Sequence, residues 1–372
     1  MSVLCRATTS FVQGKFPGIL TWAVLALLTF APSAEAQSKI LANLKHTNRK
    51  LAGQVVDHTH NHGCDRRIPS AILGMPRDLY VYLPPGYSPQ NAYPLLLYFH
   101  VASVDEHIFI ASNVAEQLDQ LIQKGEVPPM IVACPDGSIA GETHGRSPHS
   151  FYVNGELGRF QDHILFEVIP FLTRNYSIRP ERQAHAILGN SAGGFGAMNM
   201  AIKYRDFFGS VAVLAGPMNL RYSNVDGNYR EDFDPATYRW KEEYDPDETV
   251  GKFCFGLRKV PSRKYLKPVF GEGPEVSERM KRENPADLLF STDLKPGELA
   301  IYISYPGRDN WNFDAQAESF AWLAEQKGIS LTLDRDPHAR HTLVYFRRNQ
   351  RPAFRWLGQH MLPPLTTAIS QP

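Results

Sequence analysis

The pentapeptide Gly189-Asn190-Ser191-Ala192-Gly193 has the G-x-S-x-G pattern and occurs once in the sequence. A serine in this pattern can act as a nucleophile if a base takes the proton of its hydroxyl. Residues 185–188 are suited to a short buried strand, and residues 194–204 are suited to a helix. A serine on the tight turn between them needs small neighbours, and the helix N-terminus can stabilise a developing oxyanion. The pattern therefore predicts a nucleophile elbow that carries Ser191.

The remaining members of a serine triad follow Ser191 in the chain order acid, then histidine. Asp309 stands just beyond the apolar segment 299–305, and His341 stands between a predicted strand and the last predicted helix. The histidine would accept the serine proton, and the carboxylate would orient the ring and stabilise its cation. Ser191, Asp309 and His341 are therefore the predicted catalytic residues.

Both partners of the serine have a competitor nearby in the sequence. Asp314 lies five residues beyond Asp309, and His338 lies three residues before His341. Either aspartate could instead cap a helix, because Asp is favoured at helix N-termini. If neither is the acid, the aspartates within residues 334–336 are the next candidates. The sequence favours Asp309 and His341 by their position after strands, and the alternatives stay open.

A second group of residues with possible chemistry is His58, His60, His62 and Cys64, which are spaced two apart. Such spacing would place all of these side chains on one face of a strand. Histidine and cysteine are zinc ligands, but paired zinc ligands usually have two or more residues between them or share a helix face. We therefore expect a polar strand or loop here, and the protein is expected to need neither a metal nor a cofactor.

Apolar segments alternate with amphipathic segments along most of the chain. Strands are predicted at 77–84, 93–100, 130–135, 185–188, 208–215, 299–305 and 329–333, and helices at 111–123, 159–175, 194–204, 313–327 and 342–360. This alternation predicts an α/β fold with a doubly wound, mainly parallel sheet and helices on both faces. Because Ser191, Asp309 and His341 each follow a strand, the carboxyl edge of the sheet is expected to hold all three.

Residues 217–270 interrupt this alternation between two core strands. They are rich in Tyr, Asp, Arg and Pro and show little regular period. We interpret them as an insertion that forms a lid or substrate wall over the site, with a long surface loop as the alternative. The main domain is expected to span 75–361, after a leader and first strands at 37–74 and before a tail at 362–372.

Residues 1–36 have the pattern of a secretory signal peptide. Two basic residues precede an apolar segment at 19–31, and Ala34-Glu35-Ala36 supplies the small residues that a signal peptidase reads. An uncleaved N-terminal anchor is the alternative, but the apolar segment is short for a stable membrane span. We therefore expect a secreted or periplasmic protein that begins at Gln37 after processing.

Composition limits the classes of function. The 372 residues are 43% hydrophobic and 21% charged with a formal net charge of +1, which is typical of a globular protein. No basic run with interleaved aromatic residues is present, so a nucleic-acid partner is not expected. Cys64, Cys134 and Cys254 remain after the signal peptide. Cys134 is expected to be a buried strand thiol, whereas a bridge between Cys64 and Cys254 is left open.

Several segments resemble, in order and spacing, the group of α/β-hydrolases known as putative esterases. The shared segments are residues 150–154, 158–162, 168–171, 189–193 and 208–211, together with Tyr93-Pro94 before an apolar strand that leads to His100. That group includes feruloyl and acetylxylan esterases (family 1 carbohydrate esterases), enterochelin esterases and mycolyltransferases. The resemblance covers residues 75–358 and is weakest across 217–270.

The resemblance implies an α/β-hydrolase fold and an exported serine esterase that hydrolyses an acyl or feruloyl ester of a carbohydrate. The expected partner is thus a small-molecule or polysaccharide ester. An oxyanion hole would use the N–H of Ala192 and that of Val101 or Ala102. The chain has Val101 after His100, where the group usually has glycine. An acyltransferase with the same triad and a sugar acceptor is one alternative, and a non-catalytic carbohydrate-binding protein is the other.

Overall fold

The computed structural model describes residues 43–141, 148–254 and 256–366, so the predicted signal peptide lies outside the described residues. The strands in chain order are β1 (Gln54–His58), β2 (Leu79–Leu83), β3 (Leu95–Phe99), β4 (Ile131–Pro135), β5 (Asn154–Gly155), β6 (Gly158–Arg159), β7 (His185–Asn190), β8 (Ser210–Leu214), β9 (Tyr222–Asn224), β10 (Tyr238–Trp240), β11 (Thr249–Phe253), β12 (Arg258–Pro261), β13 (Ala300–Pro306) and β14 (Thr332–Asp336).

Eight of the described strands form the main sheet, in the order β1-β2-β4-β3-β7-β8-β13-β14. Strand β1 is antiparallel to β2, and β2 is antiparallel to β4. All pairs from β4 to β14 are parallel. The central strands are continuous apolar runs because helices cover both of their faces. The predicted mainly parallel, doubly wound sheet is therefore confirmed.

Helices cover both faces of this sheet. They are α1 (Asn43–Lys50), α2 (Ile108–Ala111), α3 (Val114–Gln123), α4 (Phe160–His163), α5 (Ile169–Asn175), α6 (Ala192–Lys203), α7 (Arg263–Phe270), α8 (Val276–Glu283), α9 (Pro285–Ser291), α10 (Phe313–Gln326) and α11 (Leu343–His360). A π-helical turn at Ile164–Val168 joins α4 to α5. One core lies between the sheet and α3 with α11, and the other between the sheet and α5, α6 and α10.

The insertion has more regular structure than the sequence predicts. Two hairpins, β9–β10 and β11–β12, and helix α7 lie within residues 217–270, and helices α8 and α9 follow before β13. The hairpin strands are only three to five residues long, too short to give a clear alternation of apolar and polar residues. The segment therefore contains regular elements that the sequence pattern does not reveal, and it lies between the core strands β8 and β13.

Local turns move three predicted boundaries. The left-handed Asn113 (φ 60°) separates α2 from α3, so the predicted helix at 111–123 is interrupted near its start. The left-handed Gly328 (φ 68°) and the hydrogen bond from Ile329 N–H to the Ala324 carbonyl end α10 tightly. Strand β14 consequently begins at Thr332, three residues later than predicted.

The histidine-rich segment after β1 is not a strand. Strand β1 ends at His58, and the next residues turn because Asp57 and Thr59 accept hydrogen bonds from N–H groups two residues ahead. The histidines contact separate partners: Tyr176 for His58, Asp78 for His60 and Tyr80 for His62. The predicted placement of His58, His60, His62 and Cys64 on one strand face is therefore wrong.

The three cysteines of the described chain are free thiols. Cys134 is fully buried in β4, as predicted, whereas Cys64 and Cys254 are exposed and do not form the disulfide left open above. In the parts of the chain that the structure describes, no helix has the length and apolar character needed to cross a bilayer.

Candidate active site

The turn between β7 and α6 presents Ser191 at the carboxyl edge of the sheet. Ser191 has φ 52° and ψ −121°, a conformation that is rare for a residue with a side chain and typical of a nucleophile elbow. The glycines around it are required by contact. A Cβ on Gly189 would lie 2.2 Å from the Gly193 carbonyl oxygen, and a Cβ on Gly193 would lie 2.5 Å from the carbonyl oxygens of Phe99 and His100. The G-x-S-x-G pattern thus follows from the packing of this turn.

The three predicted catalytic side chains form a continuous hydrogen-bonded chain. His341 Nε2 lies 3.0 Å from Ser191 Oγ, and His341 Nδ1 lies 2.9 Å from Asp309 Oδ2. The second Asp309 oxygen, Oδ1, accepts a hydrogen bond of 2.7 Å from the Trp311 N–H. The Asp309 side chain is fully buried and that of His341 is 9% exposed. This geometry suits proton transfer from the serine to the ring, with the carboxylate holding the other ring nitrogen.

Hydrogen bonds between two loops bring the acid and the histidine together. Strands β13 and β14 are parallel neighbours, so the loops that follow them leave the same edge of the sheet. Gly307 N–H donates to the Asp336 carbonyl at 2.8 Å, and Arg308 N–H donates to the Ala339 carbonyl at 3.1 Å. Thr342 then caps α11 by accepting from Tyr345 N–H at 3.2 Å. His341 is therefore fixed between a loop tied to the acid and a capped helix.

The competing residues are placed elsewhere. Asp314 lies in the first turn of α10, where its Oδ2 accepts only a long hydrogen bond of 3.4 Å from Asp309 N–H. Burial, together with the nearby charge of Asp309, raises the pKa of Asp314 to about 6. His338 is exposed beyond β14. Geometry therefore places Asp309, not Asp314, against His341.

The loop after β3 lines the cavity that contains Ser191. Val101, Ala102 and Ser103 line the same cavity as Ser191 and Ala192. The left-handed residue of this loop is Ser103 (φ 68°), so the loop does not need glycine at position 101. Ala192 is the first residue of α6, where the N–H groups have no acceptor within the helix. The predicted oxyanion-hole residues Val101 and Ala192 thus both line the cavity that contains Ser191.

The ring of His100 is hydrogen-bonded to the Val101 carbonyl of this loop. Its Nε2 accepts a hydrogen bond of 2.9 Å from the Gly137 N–H, so the ring proton lies on Nδ1. Nδ1 then donates to the Val101 carbonyl oxygen at 2.9 Å. His100 is fully buried and is therefore a structural support for the loop rather than a group that substrate can reach.

The cavity above Ser191 has a volume of about 260 Å³ and mainly apolar walls. Its aromatic wall residues are Phe151, Tyr229, Tyr244, Tyr265, Trp311, Phe313 and Phe346. Residues 217–270 supply much of the wall, and α8 adds Ser277 and Met280. A cleft of this kind can hold an organic acyl or alcohol group next to the nucleophile. The prediction that the insertion forms a substrate wall agrees with this placement.

Charged residues of the insertion also line the cavity. Lys241 forms an ion pair of 2.5 Å with Glu248, whose pKa is raised by burial. Arg221 donates to Asp287 at 2.6 Å and to Glu242 at 2.7 Å. These wall residues cannot be identified individually from the sequence, because they come from short elements whose packing has no local signature. Their only signal was the richness of this segment in Tyr, Asp and Arg.

Among the described residues, one group has the spacing of possible metal ligands. Carboxylate oxygens of Asp78, Glu106 and Asp136 lie within 4.8 Å of one another, and all three side chains are buried. Two of these carboxylates already have basic partners within the protein. His60 lies 2.9 Å from Asp78, and Arg77 lies 2.7 Å from Asp136. Burial and the neighbouring carboxylates raise the pKa of Glu106 well above its ordinary value. The cluster is therefore satisfied as it stands.

Comparison with protein families gives one match that covers most of the chain. A family model described as "Putative esterase" matches residues 70–342. Among curated proteins, "Esterase MT1326" of Mycobacterium tuberculosis is 29% identical over 156 residues, which is 42% of this chain. The aligned part is 32% of that relative's own length, so this chain matches only about a third of it.

Solved structures extend the likeness to most of the fold. A ferulic acid esterase has a TM-score of 0.56 and 18% identity, covering 84% of this chain and all of that one. The fluorophosphonate-binding serine hydrolase F of Staphylococcus aureus has a TM-score of 0.57 and 15% identity, covering 82% of this chain and 98% of that one. At these identities the likeness shows a shared fold, and the predicted α/β-hydrolase fold is confirmed.

Proposed function

The chain belongs to the esterase family of α/β-hydrolases, and we propose that it hydrolyses carboxylic esters with Ser191 as the nucleophile. The observation that carries this proposal is the hydrogen-bonded chain from Ser191 through His341 to Asp309, at the base of an apolar cavity. A strained elbow, a buried acid and an accessible serine are together the requirements of acyl transfer.

The proposed reaction proceeds through an acyl-enzyme. Ser191 Oγ attacks the ester carbonyl carbon while His341 Nε2 takes the hydroxyl proton, and the Asp309 carboxylate stabilises the resulting imidazolium. The tetrahedral intermediate then expels the alcohol, which receives its proton from His341. Water, deprotonated by His341, attacks the acyl-enzyme in the same way and releases the carboxylic acid.

Backbone N–H groups would stabilise the oxyanion of each intermediate. We assign one donor to the Ala192 N–H at the start of α6, where the helix dipole also favours negative charge. The second donor is assigned to the N–H of Val101 or Ala102, which line the same cavity. The hold of His100 on the Val101 carbonyl supports this assignment, because it limits rotation of the loop.

The proposed substrate is an acyl or feruloyl ester of a carbohydrate. Aromatic walls suit a planar acyl group, and the polar groups that also line the cavity suit a hydroxylated alcohol. One structural relative is a ferulic acid esterase, which supports the same substrate class. The signal-peptide pattern of residues 1–36 further supports action outside the cytoplasm, on an ester of an extracellular or periplasmic carbohydrate.

Hydrolysis of p-nitrophenyl acetate, p-nitrophenyl butyrate and a methyl ferulate tests the proposal. We expect the wild-type protein to hydrolyse at least one of them and Ser191→Ala to lose activity by roughly 10⁴-fold or more. Ser291→Ala is the matched control, because Ser291 is an exposed serine at the end of α9 that does not line the cavity.

The same assay separates the alternatives. An acyltransferase would form an acylated sugar when a sugar acceptor is added, and product analysis by mass spectrometry would detect it. A carbohydrate-binding protein without activity would hydrolyse none of the esters. Equal activity of Ser191→Ala and wild type would refute the assignment of the nucleophile.

A further inference from the structure

The insertion holds the loop that carries Asp309. The three residues after Asp309 are each hydrogen-bonded to the insertion, and they are Asn310, Trp311 and Asn312. Arg230 Nη1 donates to the Asn310 carbonyl at 2.8 Å and to the Val250 carbonyl at 3.1 Å. Tyr229 Oη donates to the Trp311 carbonyl at 2.5 Å. The acid of the triad therefore stands on a loop whose geometry depends on the insertion.

The β11–β12 hairpin is hydrogen-bonded to the same loop. Lys252 N–H donates to the Asn310 carbonyl at 2.9 Å, and Asn310 Nδ2 donates back to the Lys252 carbonyl at 2.9 Å. The Trp311 ring lies so close to Gly251 that a Cβ there would be 2.7 Å from the indole. The hairpin thus packs directly on the residue whose N–H contacts the acid.

The Asn310–Trp311 peptide group connects the insertion to the Asp309 carboxylate. The Asn310 carbonyl and the Trp311 N–H belong to the same peptide, and in a trans peptide they point in opposite directions. On one side the carbonyl accepts from Arg230 and from Lys252. On the other side the N–H donates to Asp309 Oδ1 at 2.7 Å. A cation on the oxygen polarises the peptide and strengthens its N–H as a donor.

We propose that Arg230 is a positioning residue for the catalytic acid, acting through the Asn310–Trp311 peptide. The proposal rests on the proposed function, because it gives Arg230 a role only if Asp309 serves the triad. Arg230 does not line the cavity, so its effect is expected on turnover rather than on substrate binding. Since the insertion also forms the substrate wall, the wall and the acid are parts of one hydrogen-bonded unit.

The test replaces Arg230 and follows kcat and KM separately with the best ester of the panel. We expect Arg230→Met to lower kcat roughly 10-fold with KM changed less than about twofold. Arg230→Lys keeps a cation and is expected to recover part of the loss. The acidic limb of the pH profile of kcat/KM should move to lower pH, because a loosened carboxylate stabilises the imidazolium less. Arg239→Met is the matched control, since Arg239 is an exposed insertion residue that donates only to its neighbour Tyr238.

A double-mutant cycle shows whether Arg230 acts through the acid. If it does, Arg230→Met should change the residual kcat of Asp309→Asn by less than about twofold. Equal tenfold losses in both backgrounds would overturn the proposal, as would unchanged kcat and pH profile in Arg230→Met. If Arg230→Met does not fold, Arg230→Gln replaces it as the variant that removes the cation, and a wild-type kcat and pH profile in Arg230→Gln would likewise overturn the proposal. Failure of the proposed function itself is distinct, because wild type would then hydrolyse no ester.

Discussion

Asp314 contacts the backbone of Asp309 and not the ring of His341. Its Oδ2 lies 3.4 Å from the Asp309 nitrogen, and its Oδ1 is buried without a hydrogen-bond partner in the described structure. Asp309 in contrast lies 2.9 Å from His341 Nδ1 and accepts from the Trp311 N–H. Two aspartates five residues apart in the sequence therefore have different surroundings.

Replacement of the two aspartates should separate their roles. Asp309→Asn is expected to lower kcat by about 10³–10⁴-fold, because an amide neither stabilises the imidazolium nor fixes the same ring tautomer. Asp314→Asn is expected to retain most of the turnover, since Asp314 does not touch the ring. Steady-state kinetics checks both, with thermal melting to show that both variants fold. The reverse pattern would make Asp314 the acid.

Asp314 should also make stability depend on pH. Its pKa is raised by burial and by Asp309 to about 6, above the value of 3.8 in an unfolded chain. The unfolded state therefore loses this proton first, so the free energy of unfolding falls as pH rises from about 4 to about 6. Asp314→Asn removes this loss and should be more stable than wild type at pH 7 by roughly 1–2 kcal/mol, allowing for solvent screening. Urea unfolding at pH 4 and pH 7 measures the difference, which should nearly vanish at pH 4.

The buried carboxylate cluster provides a second stability test. Burial and the charges of Asp105 and Asp136 raise the pKa of Glu106 above its usual 4.5, so the folded state holds a proton that the unfolded state releases. Stability therefore falls as pH rises above about 4.5. Glu106→Gln keeps a neutral group of the same size that can still accept from Asn61. It should be more stable than wild type at pH 8 and differ little from it at pH 4. Lower stability of Glu106→Gln at pH 8 would mean that Glu106 is ionised in the folded protein.

Export can be tested on the protein as its own cell makes it. Since Ala34-Glu35-Ala36 has the pattern of a signal-peptidase site, the mature N-terminus is expected at or near Gln37. Mass spectrometry of the native protein, with cell fractionation, measures this directly. A cytoplasmic protein that still begins at Met1 would contradict the prediction.

The sheet, the elbow and the placement of the triad were predictable because each has a local signature. Continuous apolar runs such as 95–99 mark strands buried on both faces, and the elbow glycines are fixed by contacts within a few residues. The order of Ser191, Asp309 and His341 along parallel strands then brings them to one edge of the sheet. The proposed substrate class comes from the resemblance to the family, because no local pattern contains it.

The remaining features depend on contacts between distant segments. The hydrogen bond from Arg230 to the Asn310 carbonyl joins residues 80 positions apart, and the sequence around either residue does not indicate it. Likewise Asp78, Glu106 and Asp136 meet only when β2, β4 and the loop after β3 are assembled. The alternating histidines at 58–62 predicted one strand face, and this prediction was wrong. An Asx turn at Asp57 ends the strand, although the local alternation continues through it.

The most direct test of the central claim is the site of reaction with a fluorophosphonate probe. If Ser191 is activated by His341, the intact wild-type protein should gain the mass of one phosphonyl group, and peptide mapping should place that group on Ser191. His341→Ala should react far more slowly, and Ser191→Ala should not react. Labelling of another residue, or equal labelling of Ser191→Ala, would contradict the account.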